Sequence, residues 1–267
     1  MADVTAKDVQ ALRQATGAGI LDARKALVEC DGDFNKASDW LREKGLAGAA
    51  KREDRERSEG AVAVYVTSDG KLASLCSIEC ETDFVAKSED FMNLVAKIAE
   101  EVAKNGEEVA ETFVSDIDNL KVVLKENIAL GKVVRFETQG DSILGHYIHT
   151  QNGRGVNGVL VEIAGGTEEL AHDVAVHIAF GKPKYLNRED VPADLVAKER
   201  ETVEKISKNE GKPEAALPKI VEGRLNTWYK DLVLTEQSYV KDDKKQISEI
   251  LQGAKIVRFA QILVGAE

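Results

Sequence analysis

The chain has 267 residues, 43% of them hydrophobic and 31% charged, a balance that excludes a disordered polymer and suffices for one to three folded domains. Lys and Arg number 36 against 47 Asp and Glu, for a net charge of −11. That surplus repels a phosphate backbone and argues against direct binding of nucleic acid, while leaving a protein partner open. In chain order, residues 1–50 read as three short helices. Thr5 and Asp8 form a capping box ahead of Val9 and Leu12. TGAG interrupts, and Ile20, Ala23, Leu27 and Cys30 mark a second helix. DGD interrupts again. Asp33 is placed to cap a third helix carrying Ala37, Trp40 and Leu41, with Gly45 as its expected close. Residues 51–59 are dense in charge and read as a linker.

At Gly60 the composition changes. AVAVYVT and KLASLCSIEC are predicted strands, joined by a turn containing Asp69-Gly70. Ser88 is a predicted cap for a helix with Phe91, Leu94, Val95, Ile98, Ala99 and Val102 at spacings of three and four. A further helical region over roughly 107–130 leads to a second β region, with KVVRFET, SILGHYIHT and VNGVLVEIAG as its strands. TEELAHDVAVHIAFG is then a helix capped by Thr167. From Val191 the pattern Leu195, Val196, Val203, Ile206, a turn at 209–213, and Leu217, Val221, Trp228 predict an antiparallel helical hairpin. KIVRFAQILVG is a predicted strand returning to a sheet. The fold class is α+β. Its expected units are 1–50, the linker 51–59, core subdomains 60–140 and 141–190, the hairpin 191–230 and a returning segment 231–267.

The core contains an internal repeat of hairpin, loop and helix. LCSIEC (75–80) corresponds to LVEIAG (160–165), and Ser88 to Thr167. The second copy has one residue between strand and helix cap, Gly166, where the first has seven, ETDFVAK. One reading makes Asp83 a turn cap and Phe84 core filling. The other makes the added stretch an exposed anchor for a partner, with Phe84 accessible in the free protein. The insertion favours the second.

Other chemistry finds little support. GRGVNG (153–158) fits G-x-G-x-x-G, but a strand follows it where a phosphate-binding helix should start, so a glycine-rich hairpin turn is the better reading. His172 and His177 lie ~140° apart on a helix, and His146 and His149 point to opposite faces of a strand, so neither pair suits a metal. Cys76 and Cys80 are ~13 Å apart on a strand, beyond the ~7 Å reach of a disulfide. With Cys30 they read as reduced thiols of a cytoplasmic protein. No apolar run is long enough to span a membrane, and MADVTAKDVQ has no leader pattern. No cofactor is expected.

LRQATGAGILDARKAL (12–27), TDFVAK (82–87) and GKPKYL (181–186) resemble the elongation factor Ts family, guanine-nucleotide exchange factors for elongation factor Tu in bacterial translation. The resemblance runs in order over essentially the whole chain. It implies a ubiquitin-associated-like three-helix head, a core of two related subdomains with antiparallel sheets, and a coiled-coil hairpin. It also implies that Thr82, Asp83, Phe84 and Val85 form the wedge pressed into the partner's GTPase domain. Arg13, Ile20 and Leu21 correspond to head contacts with that domain, the last two standing where the family has Met-like residues. His149 corresponds to a core contact. On this resemblance the chain is an exchange factor and not an enzyme. A homodimer through the core or the hairpin stays open. The competing readings are a non-exchanging adaptor that binds through the head and, resting on GRGVNG alone, a nucleotide-dependent enzyme.

Overall fold

A computed structural model describes residues 4–138 and 140–266 of the chain. Met1–Asp3, the start of the stretch read for a leader, lie outside the described residues. The first three helices are α1 (Ala6–Thr16), α2 (Ile20–Glu29) and α3 (Phe34–Ala50). The expected caps are present. Thr5 Oγ1 accepts from the Asp8 amide at 3.2 Å while the Asp8 carboxylate accepts from the Thr5 amide, and Asp33 accepts from the Lys36 amide. Leu12, Ala23, Ala26, Leu27, Ala37 and Leu41 fill the space between them. One expectation fails: α3 does not close at Gly45 but runs on to Ala50. Gly45 instead lets α3 approach α6 (Val114–Leu124), because a Cβ there would lie 2.4 Å from a Val122 methyl. The head is thereby seated on the core.

The core is a sandwich of two three-stranded antiparallel sheets with helices on both outer faces. The first sheet has the order β1 (Glu59–Val66), β2 (Leu72–Cys80), β3 (Ala129–Glu137). The second has the order β4 (Ile143–Gln151), β5 (Arg154–Ala164), β8 (Lys255–Leu263). KVVRFET therefore belongs to the first sheet as β3, not to the second β region. Its apolar pattern suits either sheet, and only the pairing with β2 decides between them. Alternate residues divide between two cores. Val62, Leu75, Leu160 and Ile262 meet between the sheets. On the outer face of the first sheet, Cys76 and Ile78 pack against α5 (Glu89–Asn105), whose predicted stripe from Phe91 to Val102 is buried throughout. On the outer face of the second, Val159, Val161 and Ile163 pack against α7 (Glu168–Gly181), capped by Thr167 as expected.

The two halves repeat one plan: a hairpin, a helix laid on the outer face, and a third strand on the far side of the hairpin's second strand. In the first half the path to the third strand is a 3-10 turn (Glu107–Phe113) and α6, so the helical region ends before 130. In the second half that path contains the helical hairpin α8 (Ala193–Asn209) and α9 (Leu217–Leu232). A short ribbon, β6 (Ser238–Tyr239) with β7 (Asp242–Gln246), and the single turn α10 (Ile247–Ile250) follow. Val203, Ser207, Val221 and Leu225 form the buried seam of the hairpin. Ile206 was expected there but is exposed. Ser207 takes the inward position by donating its hydroxyl to the Val203 carbonyl at 2.6 Å. The hairpin's base is held by Arg188, which pairs with Glu236 and stacks on Tyr229 at 4.4 Å.

Two consequences are measurable. Gly45→Val should unseat the head at a cost of about 1–3 kcal/mol, read as faster amide exchange in α3 and α6 with α7 unchanged. The second concerns His177, which is buried. Its Nδ1 accepts from the Val240 amide, leaving the Nε2 hydrogen for Gln237 Oε1 at 3.0 Å. Burial lowers its pKa below the ordinary 6.5. The unfolded chain therefore takes up the proton first, and stability is lost as pH falls from about 6.5 through the folded value. Urea unfolding across that range should become less pH-dependent in His177→Gln.

Candidate partner-binding site

At the end of β2 the inserted stretch forms a self-contained turn. Its single helical turn, α4 (Asp83–Ala86), is capped by Thr82, whose Oγ1 accepts from the Val85 amide at 3.4 Å. Asp83 is thus not the cap. It lies one position too late to reach the free amides of the turn, and it forms an ion pair with Lys87 one turn on. The Lys87 hydrogen bond is the main cause that lowers the Asp83 pKa, so the pair persists at neutral pH. Ser88 precedes α5 without capping it by its side chain, since its hydroxyl donates back to the Val85 carbonyl at 2.8 Å.

The inward side of the turn is anchored by Ala86, fully buried, and Val85, half-buried against the α5 core. Phe84 points the other way and is 81% exposed, with Lys87 Nζ 5.7 Å from its ring centre. Core filling is therefore excluded for Phe84. A phenyl group left in water on an ordered turn is unusual where its neighbours are buried.

Glu126 holds the turn in place. Its carboxylate accepts from the amides of Glu81 and Thr82 at 3.1 Å each, and from Thr82 Oγ1 at 2.5 Å. Glu81 in turn accepts from the Asn127 amide at 2.6 Å. The Asn127 side chain donates to the carbonyls of Glu53 and Arg55, and Arg55 and Arg57 pair with Glu81 and Glu79. The charged linker is consequently tied to the root of the turn. Neither Glu126 nor Asn127 carried any sequence signal; they follow α6 as an ordinary polar pair.

The same end of α6 touches the head. A Cβ on Gly17 would lie 3.1 Å from Val123, and the Asp22 carboxylate lies 4.0 Å from Lys125 Nζ. Ile20 and Leu21, in the first turn of α2, are 57% and 82% exposed, and Arg13 is exposed at the end of α1. Residues 123–126 therefore stand between two exposed apolar groups, Ile20 with Leu21 on the head and Phe84 on the core. His149 is exposed on β4 opposite Asn157, in the other half of the core. Among the described residues no hydrogen bond joins it to the 82–87 turn.

The remaining chemistry is quiet. Burial pushes the thiols of Cys76 and Cys80 up to about 12, leaving them protonated and unreactive at neutral pH. Of GRGVNG only Gly153 lies in the tight β4–β5 turn, where Asn152 and Gly153 are both at positive φ. Arg154–Gly158 continue as β5, so no helix start follows the motif and most of it is strand, not turn. Among the described residues, no group of three or more His, Cys, Asp or Glu is placed to hold a metal ion. No described helix is long and apolar enough to cross a membrane.

The α+β scaffold thus holds a bare phenyl ring on a braced turn. The family model described as Elongation factor TS matches residues 81–266. Elongation factor Ts of Clavibacter michiganensis subsp. michiganensis is 43% identical, with 100% of both chains covered. Those of Streptomyces coelicolor and Streptomyces avermitilis are 43% and 44% identical, over 99% of this chain and 100% of theirs. The chain belongs to the elongation factor Ts family, nucleotide-exchange factors of translation elongation.

Glu126→Gln should loosen the turn by weakening charge-assisted hydrogen bonds to two amides and a hydroxyl. The expected loss is about 1–3 kcal/mol of local protection, measured as faster hydrogen exchange at Glu81 and Thr82.

Proposed function

We propose that this cytoplasmic chain binds elongation factor Tu in its GDP-bound form and speeds GDP release by disturbing the site that holds Mg²⁺ and the phosphates. The observation that carries this reading is Phe84, 81% exposed on a turn whose backbone is braced by Glu126. Phe84 acts as the wedge, pressing into the partner's GTPase domain and displacing an apolar element beside its nucleotide site. Asp83 fixes the turn through Lys87, while Thr82 and Val85 anchor it to the core. Arg13, Ile20 and Leu21 hold the same domain from the head, and His149 meets the partner from the second half.

Exchange of this kind is linkage. A factor that binds the nucleotide-free partner more tightly than the GDP-bound one weakens GDP binding by the same ratio. No bond is made or broken by the factor, so it requires no acid, base or cofactor of its own. The ternary complex is weaker than either binary one, which lets the factor leave when nucleotide returns.

The test is the rate of labelled GDP release from elongation factor Tu. The wild-type chain should accelerate release, and Phe84→Ala should lose about 10- to 100-fold of that acceleration, the size expected for a buried aromatic hot spot. No acceleration by the wild type overturns the exchange reading. Full activity in folded Phe84→Ala overturns the wedge. Tight binding without faster release would identify an adaptor.

A further inference from the structure

The glycine-rich segment 153–158 lays the β4–β5 hairpin directly against the first sheet. A Cβ at Gly155 would lie 2.2 Å from the Val62 carbonyl oxygen, and one at Gly158 2.4 Å from a Leu75 methyl. Only hydrogen fits at either position. Between the turn and these glycines stands Arg154, which is 6% exposed and crosses into the first half of the core. Its Nη1 donates to the Gly60 carbonyl at 2.7 Å, and its Nη2 pairs with the Glu59 carboxylate. Glu59 and Gly60 are the first residues of β1. Their partners across the ladder are Cys80 and Glu79, the last residues of β2. The braced turn begins immediately afterwards, and the Cys80 thiol donates to the Thr82 carbonyl at 3.2 Å.

We propose that Arg154 is a positioning residue for nucleotide exchange: it ties the β4–β5 hairpin to the strand ends from which the Thr82–Val85 turn leaves, and so sets the direction in which Phe84 projects. The role rests on the exchange-factor reading above. Two features favour positioning over simple stabilisation. Among the described residues Arg154 Nε is buried without an acceptor, and a buried guanidinium with an unmatched hydrogen is an inefficient way to stabilise a core. Its planar fork also fixes direction, because two nitrogens are committed to two acceptors on adjacent residues. The positive charge also contributes, after Lys87, to keeping the Asp83 carboxylate ionised. His149 lies on the same hairpin, opposite Asn157, so a contact made by the second half is joined through Arg154 to the turn carrying the wedge.

The test uses the full chain with Arg154→Lys, which keeps the charge but cannot span both acceptors. Hydrogen exchange is followed in the free protein, and GDP release from elongation factor Tu is followed against factor concentration. Amides 82–87 should exchange about tenfold faster while those of α7 stay unchanged, the effect of losing one charge-assisted hydrogen bond. The maximal release rate should fall about tenfold with the half-saturating concentration held within about twofold, because alignment and not affinity is lost. In a Phe84→Ala background the same substitution should cost less than about twofold, since the wedge it aims is gone. Unchanged exchange at 82–87 in a folded Arg154→Lys overturns the proposal, as does a full independent loss in the Phe84→Ala background. If Arg154→Lys does not fold, Glu59→Ala, at a partly exposed position, removes the acceptor of Nη2, and unchanged exchange at 82–87 in that variant overturns the proposal. Should the wild type fail to accelerate release, the exchange reading falls, and hydrogen exchange alone decides whether Arg154 orders the turn.

Discussion

The whole core depends on how closely β5 lies against β1. Two sheets can share the layer formed by Val62, Leu75, Leu160 and Ile262 only if nothing projects from β5 at 155 and 158. Side chains there would meet a backbone carbonyl and a leucine methyl, and the sheets would have to part. Parting them would withdraw Arg154 from Glu59 and Gly60 and open the inner core to water. Glycine at these sites is therefore a spacing requirement between halves. It explains a motif that superficially suggests a nucleotide loop.

The turn after β2 answers a different physical problem. An exposed aromatic gains nothing from burial in the free protein, so it cannot hold its own backbone in place. The holding is done from below by Glu126, Thr82 and buried Ala86, while the linker is drawn in through Asn127. A ring presented on such a base loses little freedom when it is covered, which is the advantage of a preformed contact. In the proposed exchange, that saving remains available for distorting the partner. The head adds a second apolar point, and its seat on Val122 and Val123 sets the separation of the two points before any partner arrives.

Much of this was legible in the sequence because it follows from local rules. The capping box at Thr5, the side-chain cap at Thr167, the Asp69-Gly70 hairpin and the stripe along α5 depend on neighbours within a few residues. The exposure of Phe84 became legible only by comparing the two halves, since the extra residues stand out against Gly166. What escaped depends on contacts distant in sequence. Glu126 is 44 residues from Thr82, and Arg154 is 94 from Gly60. Gly45 looked like a helix end because a glycine's packing role against Val122 leaves no periodic trace. Ser207 took the inward position from Ile206 because a serine that bonds to its own helix backbone can be buried cheaply.

The unequal return paths of the two halves also set an order of assembly during synthesis. The first sheet has its three strands once residue 137 has emerged, with contacts closed over short spans of chain. The second has only two by residue 164 and lacks an edge partner for β5 until residues 255–263 arrive, nearly a hundred residues later. Through that interval one side of β5 has unpaired amides and carbonyls, the condition in which strands pair wrongly or with other chains. The early-folding half, already resting on β5 through Arg154 and the glycines, then serves as a template that covers one face of the unfinished sheet.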